Sequence, residues 1–312
     1  MKKNLLILAL VVGIMLSFSG CTKKSNENNS EKLRVGITIS PLKDFTEAIG
    51  GDKVEVFSII PDGSDAHSFD PKPKDLNNLI NTNIFIYNGL GMEEWIDSVL
   101  KTIENKDIKV VEASKGIEAI EILEEDEHHE DEHGEEDDHG HEHSGNDPHV
   151  WLSLDNAIKE AENIKNALSE VNPENKDYYE ENYEALKKEF VSLKAEYETK
   201  FKEIDNKDFI TGHAAFAYLC RDFGLTQKSI ADVFGEGELT PKKLENLINY
   251  CKENNVKVVF SESAASIKES ETLAKEVGAK VEKIYSLETK EDNKSYLEGM
   301  KYNLETIYNS LK

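Results

Sequence analysis

One amphipathic segment in the middle of the chain limits the possible folds more than any other feature. Between Asn172-Pro173 and Phe201 there is no glycine and no further proline. Large apolar side chains recur in this segment at spacings of three and four residues, namely Tyr179, Tyr183, Leu186, Phe190, Leu193, Tyr197 and Phe201. The spacing predicts a single helix with one apolar face, about 40 Å long at about 1.5 Å per residue. A coiled-coil partner is the alternative, but the flanking segments already offer surfaces for the helix to cover.

Short apolar runs and helical stretches alternate on both sides of this segment. Leu33 to Ser40 and Ile84 to Tyr87 are typical of buried strands before it, as are Phe209 to Thr211 and Val256 to Phe260 after it. Such alternation predicts parallel sheets covered by helices. We therefore expect an α/β fold of two lobes, each with a parallel sheet flanked by helices, joined by one long rigid helix. The predicted bounds are 33–171 for the N-terminal lobe, 172–203 for the linking helix and 204–312 for the C-terminal lobe.

The first residues have the layout of a secretory signal. Lys2 and Lys3 precede an apolar run from Leu5 to Leu16, which is too short to span a bilayer. Small residues then lead to Cys21, an arrangement that resembles the lipidation site of bacterial lipoproteins; an ordinary signal with an incidental cysteine is the alternative. We expect residues 1–20 to be removed and residues 21–32 to form a lipidated tether. The protein would then be exported and held at the extracytoplasmic face of the membrane.

The charge of the chain disfavours a nucleic-acid partner and favours a cationic ligand. The formal net charge is −25, and twelve of the acidic residues lie between Glu124 and His143 without any lysine or arginine. Residues 124–146 contain no apolar or aromatic side chain, which predicts a disordered loop. Six histidines lie in this loop: His128, His129, His133, His139, His141 and His143. We expect the loop to gather metal ions weakly, the alternative being a solvated run of charge.

The other three histidines are candidates for a single metal site. His67 and His213 both follow predicted strands, at the edge where open α/β sheets bind ligands. His149 lies after the acidic loop and could complete the set. Three neutral imidazoles suit zinc and leave one tetrahedral position for another ligand, whereas manganese or magnesium would be expected to use carboxylates. The sequence therefore predicts a zinc site in the cleft between the lobes.

Six segments together resemble the ABC-transporter solute-binding proteins for zinc and manganese, which are also described as adhesin-like lipoproteins. They are Pro61 to His67, Asp147 to Leu152, the long amphipathic segment, Gly212 to Tyr218, Phe260-Ser261-Glu262 and the region from Tyr296 to Leu304. The resemblance covers nearly the whole mature chain. It implies two α/β lobes with a metal bound in the cleft by His67, His149 and His213. It also implies that the protein delivers the metal to a membrane permease driven by a separate ATPase.

The resemblance favours zinc over manganese, which stays the alternative metal. Manganese members typically carry a carboxylate in place of the third histidine and an aspartate near position 285, where this chain has His213 and Tyr285. The fourth ligand stays open between water, Glu262 and a carboxylate of the acidic loop. Glu262 follows a strand and could instead orient a ligand, or be a surface charge or a capping residue.

A receptor is favoured over an enzyme. The chain contains no His-Glu-x-x-His motif, no nucleophile elbow and no phosphate-binding Gly-x-x-x-x-Gly-Lys loop. A zinc-dependent hydrolase and a surface adhesin are kept as alternatives, and we expect a monomer. Whether Cys220 and Cys251 form a disulfide is left open by the sequence.

Overall fold

A computed structural model describes residues 32–122, 145–237, 239–262 and 267–312. The strands of the first half are β1 (Leu33–Ile37), β2 (Val54–Ser58), β3 (Ile84–Tyr87) and β4 (Lys109–Glu112). Its helices are α1 (Ser40–Gly50), α2 (Pro73–Leu79), α3 (Ile96–Ile103) and α4 (Leu154–Val171). A long helix, α5 (Lys176–Lys202), leads to the second half. The strands there are β5 (Asp208–Thr211), β6 (Thr226–Ser229), β7 (Val258–Ser261) and β8 (Lys280–Lys283). The helices there are α6 (Ala217–Phe223), α7 (Pro241–Glu253), α8 (Ile267–Val277) and α9 (Tyr296–Ser310).

Each half is built on a four-stranded parallel sheet, as predicted. The strand order is β2-β1-β3-β4 in the first sheet and β6-β5-β7-β8 in the second. All neighbouring strands in both sheets pair in parallel. The order of strands therefore reverses between β1 and β3 and again between β5 and β7. In open α/β sheets the loops diverge at such a point and leave a crevice at the carboxyl ends of the strands.

The long helix begins at Lys176, slightly later than the predicted bound of residue 172. Asn172 accepts a hydrogen bond from the backbone N–H of Asn175 at 3.2 Å, and the residues between them form a short 3-10 turn. The α-helix then runs for 27 residues, about 40 Å, and buries most of the predicted apolar positions. The face bearing Tyr179, Phe190 and Phe201 is almost completely buried.

An aromatic cluster joins three helices from different parts of the chain. The ring of Phe190 on α5 lies 5.6 Å from Phe45 on α1 and 5.3 Å from Tyr296 on α9, measured between centroids. Phe45 and Tyr296 are 4.7 Å apart in an edge-to-face arrangement. Pairs of this geometry contribute about 0.5–1.5 kcal/mol beyond the burial of their surface. The cluster therefore ties α5 to a helix of each half.

Several predictions concern residues outside the described part of the chain. They are the signal segment, Cys21 and the six histidines of the acidic loop. The loop was predicted to end at Asn146, but Asn146 forms an antiparallel bridge with Glu121. Backbone pairing of this kind needs no apolar side chain, so composition does not reveal it. In the described residues, no helix combines the length and apolar character needed to cross a bilayer. Cys220 and Cys251 are buried, separate thiols.

Replacing Phe190 by alanine should lower the free energy of unfolding by about 3–5 kcal/mol, because the cavity would separate the three helices of the aromatic cluster. The matched control is Val191→Ala on the same helix, where the side chain is 50% exposed and the expected change is within about 0.5 kcal/mol. Urea unfolding of both variants in the presence of a chelator measures the difference. Equal losses for the two variants would contradict a structural role for the cluster.

Candidate metal centre

Three imidazoles and one carboxylate converge where the two halves of the chain meet. They belong to His67, His149, His213 and Glu288, and each offers one ligand atom within 4.8 Å of the others. The side chain of His149 is fully buried, and those of His67 and His213 are 10% and 13% exposed. The structure thus brings together the three histidines selected from the sequence and adds an acidic residue to them.

Three of these side chains lie in loops that follow strands of the two parallel sheets, and the fourth precedes a helix. His67 lies in the loop after β2, and His213 is the second residue after β5. Glu288 follows β8, and His149 immediately precedes the short 3-10 turn that leads into α4. Because parallel strands end at the same edge of a sheet, the loops that follow them are neighbours.

The separations between the candidate ligand atoms match those of a small tetrahedral site. The Nε2 atoms of His67 and His149 are 3.3 Å apart. Glu288 Oε1 lies 3.4 Å from His149 Nε2, 3.6 Å from His213 Nε2 and 3.8 Å from His67 Nε2. A tetrahedral zinc ion with bonds of about 2.0–2.1 Å separates its ligand atoms by about 3.3 Å. One zinc ion can therefore contact all four atoms after small adjustments.

Two of the four candidate ligand atoms lack a hydrogen-bond partner among the described residues. They are His213 Nε2 and Glu288 Oε1, and both atoms are buried. A buried polar atom that makes no hydrogen bond costs about 1–3 kcal/mol of stability. Coordination of a metal ion would satisfy both atoms, so the donor set fits a metal site.

Asp147 orients His149 within the centre. Its Oδ1 atom lies 2.9 Å from His149 Nδ1 and also accepts the backbone N–H of His149 at 2.9 Å. This contact leaves Nε2 directed at the centre, and a carboxylate on the second ring nitrogen makes imidazole a stronger ligand. The segment is held further by Asn88, whose side-chain amide donates to the Pro148 carbonyl at 2.9 Å.

Glu262 lies behind His213 rather than in the group of four. Its Oε1 atom accepts the backbone N–H groups of Gly212 and His213 at 3.0 and 3.4 Å, and Oε2 is 3.8 Å from His213 Nδ1. Two roles were predicted for it from the sequence, a fourth ligand or a residue that orients one, and this geometry favours the second. Glu262 is only 4% exposed, so it is not a surface charge.

Glu288 is absent from the residues predicted from the sequence, which considered position 285 instead. The Tyr285 side chain makes a different contact, since its hydroxyl donates a hydrogen bond to Asp292 at 2.6 Å. Glu288 faces the histidines because the backbone turns at Leu287, where φ is 65°. The only signal in the sequence was an acidic residue shortly after a predicted strand, and that signal does not reveal the turn.

The four groups carry different charges in the metal-free pocket. Burial lowers the pKa of His67 to about 4, so His67 is neutral at pH 7. Burial also disfavours charge on His213, but Glu262 and Glu288 outweigh it and raise the pKa of His213 to about 10. The pKa of His149 is raised too, because its carboxylate neighbours outweigh burial. Burial alone would raise the pKa of Glu288, but His149 and His213 hold it well below its usual range.

An acidic cleft of about 950 Å³ leads to the centre. Its lining includes Asp65, Glu262, Glu269 and Glu291, and none of the described lining residues is a lysine or arginine. The ring of Phe234 stands edge-on to His67 at 5.7 Å between centroids. A predominantly acidic lining concentrates cations, so this approach favours a cationic ligand.

Comparison with known proteins identifies a family. A family model described as zinc-uptake complex component A, periplasmic, matches residues 35–310. The high-affinity zinc uptake system protein ZnuA of Bacillus subtilis is 39% identical to this chain, over 93% of this chain and 91% of its own length. The manganese ABC transporter substrate-binding lipoprotein PsaA of Streptococcus pneumoniae is 32% identical, over 100% of this chain and 99% of its own length.

A solved structure supports the same relationship. The laminin-binding protein Lmb of Streptococcus agalactiae, described as bifunctional with adhesin and metal transporting activity, superposes with a TM-score of 0.79 at 32% identity. The match covers 90% of this chain and all of that one. The resemblance and the α/β architecture predicted from the sequence are therefore confirmed. Members of the matched family are solute-binding receptors rather than enzymes.

Zinc binding at pH 7 should release at least one proton. His213 has a pKa of about 10 in the metal-free pocket, and its ring must lose a proton before Nε2 can bind a metal. Between about pH 6 and 8, affinity should therefore rise about tenfold per pH unit for each proton released. Calorimetric titration in two weakly chelating buffers with different ionisation enthalpies counts the protons. Identical heats in both buffers, with an affinity independent of pH, would contradict this assignment.

Proposed function

We propose that this protein, which belongs to the zinc-uptake complex component A family, captures zinc for an ABC-type uptake system. The observation that carries this proposal is the group of three imidazoles and one carboxylate at the inner end of an acidic cleft. The protein binds its cargo without transforming it, because the family consists of receptors and not of enzymes. The zinc-dependent hydrolase considered from the sequence is therefore set aside.

Zinc is the cargo that the donor set favours. Imidazole nitrogens with a single carboxylate in tetrahedral arrangement are typical of zinc, whereas manganese prefers more oxygen ligands. Among the described residues, Glu288 alone supplies a carboxylate oxygen to the group, and His213 supplies a nitrogen where the sequence resemblance implies a carboxylate in manganese receptors. Manganese is the alternative cargo, because the relative in Streptococcus pneumoniae is named as a manganese receptor.

The partners of this protein are a membrane permease and its ATPase. Receptors of the matched family work with these two components, and the chain itself has no phosphate-binding loop. We place the protein at the extracytoplasmic face of the membrane as a monomer, anchored by a lipid on Cys21. The signal-like layout of residues 1–20 supports this placement, as does the name of the lipoprotein relative in Streptococcus pneumoniae.

The acidic loop is proposed to gather zinc beside the cleft. Its ends are paired, since Ile122 N–H donates to the Gly145 carbonyl at 2.9 Å and Asp147 N–H donates to the Ile120 carbonyl at 2.8 Å. The C-terminal end of the loop is therefore adjacent to Asp147, the residue that orients His149. Imidazoles and carboxylates at high density bind zinc weakly at several points, which would raise its concentration close to the centre.

Replacing His67, His149 or His213 by alanine should weaken zinc binding by more than about 100-fold, because loss of even an orienting residue typically costs 10- to 100-fold. The measurement is competition with a chromogenic chelator, using residues 22–312. The control is His133→Ala, the same change within the acidic loop, which should leave the tight site unaltered. Tight zinc binding by all three variants would contradict the proposed site. Tight binding of manganese would assign the protein to the manganese receptors.

Deleting Glu124 to Ser144 should remove weakly bound zinc while the tight site remains, because the deletion spares every residue of the group of four. Zinc stoichiometry should fall, and zinc-limited cells that carry the deletion should take up zinc more slowly. Equilibrium dialysis and uptake of radioactive zinc measure the two effects. Unchanged stoichiometry together with unchanged uptake would show that the loop does not gather zinc.

A further inference from the structure

A backbone turn at Leu287 directs Glu288 into the metal centre. Leu287 has a φ of 65°, in the left-handed region, where a non-glycine residue costs of the order of 1–3 kcal/mol. Leu287 and Glu288 are both buried, at 8% exposure each. Their side chains nevertheless have different surroundings. Leu287 packs on α9, and the carboxylate of Glu288 faces the three histidines.

Leu287 packs into a space on α9 that a glycine leaves open. A Cβ atom at Gly299 would overlap Leu287 Cδ2 and would lie 3.5 Å from both Cδ1 and Cγ. Glycine inside a helix costs about 1 kcal/mol relative to alanine, so its presence within α9 calls for a packing reason. The approach of Leu287 supplies that reason. Leu287 in the left-handed region and Gly299 within a helix are both locally unfavourable, and these two residues are in direct contact.

The residues before this turn are fixed to the same helix and to the first half of the chain. Asn303 on α9 accepts the backbone N–H of Tyr285 at 2.9 Å and donates to the Tyr285 carbonyl at 2.6 Å. Trp151 Nε1 donates to the Ser286 carbonyl at 2.7 Å. The backbone that enters the turn is therefore held from two directions.

The residue after the turn is also fixed through its backbone. The carbonyl of Glu288 accepts the N–H of Ser40, at the start of α1, at 2.8 Å. With the carbonyls of Ser286 and Glu288 held, the peptide that joins Leu287 to Glu288 is where a displaced Leu287 side chain would act on the carboxylate. The contact on α9 is thereby coupled to the position of the carboxylate.

We propose that Leu287 and Gly299 are positioning residues that set where the Glu288 carboxylate lies in the metal centre. Neither residue touches the metal. Leu287 provides the turn, and the space at Gly299 lets that turn approach α9. This inference rests on the proposed zinc-binding function and extends it, because it assigns the placement of one ligand to a contact outside the centre.

Gly299→Ala tests this role through its dependence on Glu288. The added methyl group should displace Leu287 and weaken zinc binding by about 10- to 100-fold, the usual range for a residue that orients a ligand. In a Glu288→Gln background the same substitution should change the affinity by less than about twofold, since residues that act through one group are not additive. Chelator competition on residues 22–312 of all four proteins measures the coupling. A merely structural glycine would produce the same loss in both backgrounds.

Gly50→Ala is the matched control. Gly50 ends α1, and a Cβ atom there would overlap two methyl carbons of Val54, a conflict of similar severity. This variant should lose thermal stability while its zinc affinity stays that of the wild type. If Gly299→Ala fails to fold, Leu287→Ala replaces it in the same comparison, because it removes the contact without crowding.

Two results would overturn the positioning role. One is an unchanged zinc affinity in the folded Gly299→Ala or Leu287→Ala protein, and the other is an equal loss in the wild-type and Glu288→Gln backgrounds. Failure of the proposed function has a different signature, namely a wild-type protein without a tight zinc site. The wild-type and Glu288→Gln titrations therefore separate the two failures.

Discussion

The metal centre depends on a fixed relative position of the two halves of the chain. His67 and His149 come from the first half, whereas His213 and Glu288 come from the second. Neither half alone supplies four ligands. One link is the buried hydrogen bond from Trp151 Nε1 to the Ser286 carbonyl, which joins a residue two after His149 to a residue two before Glu288. The aromatic cluster on α1, α5 and α9 holds the surrounding helices, so the long helix serves the site by keeping its two sources of ligands in place.

Charge in the centre is balanced by protons when metal is absent. Glu288 is buried and ionised, and its neighbours His149 and His213 have raised pKa values. A divalent cation bound by the same atoms replaces the positive charge of the protons and coordinates Glu288 Oε1 and His213 Nε2, which make no hydrogen bond among the described residues. Protons and zinc therefore compete for one set of atoms. The carboxylates of Asp147 and Glu262 lie near the Nδ1 atoms of His149 and His213, respectively. There they favour ring orientations that direct Nε2 at a metal.

The fold could be predicted from the sequence wherever side-chain periodicity reflects burial. The apolar spacing from Tyr179 to Phe201 predicted the long helix, and the alternation of strands and helices predicted two parallel sheets. Strand β6 could not be predicted, because Thr226–Ser229 is a polar edge strand without an apolar pattern. The three histidines of the centre could be predicted as metal ligands because each lies after a strand or within a distinctive motif. Glu288 could not, since its direction depends on the left-handed turn at Leu287 and on the space at Gly299, which are properties of the folded backbone.

Anomalous diffraction at the zinc absorption edge, from crystals of the zinc-loaded protein, tests the central claim most directly. The account predicts one strong peak between the two halves, at about 2.0–2.2 Å from Nε2 of His67, His149 and His213 and from a carboxylate oxygen of Glu288. A peak bound by other residues, or one that contacts Glu262 instead of Glu288, would contradict it.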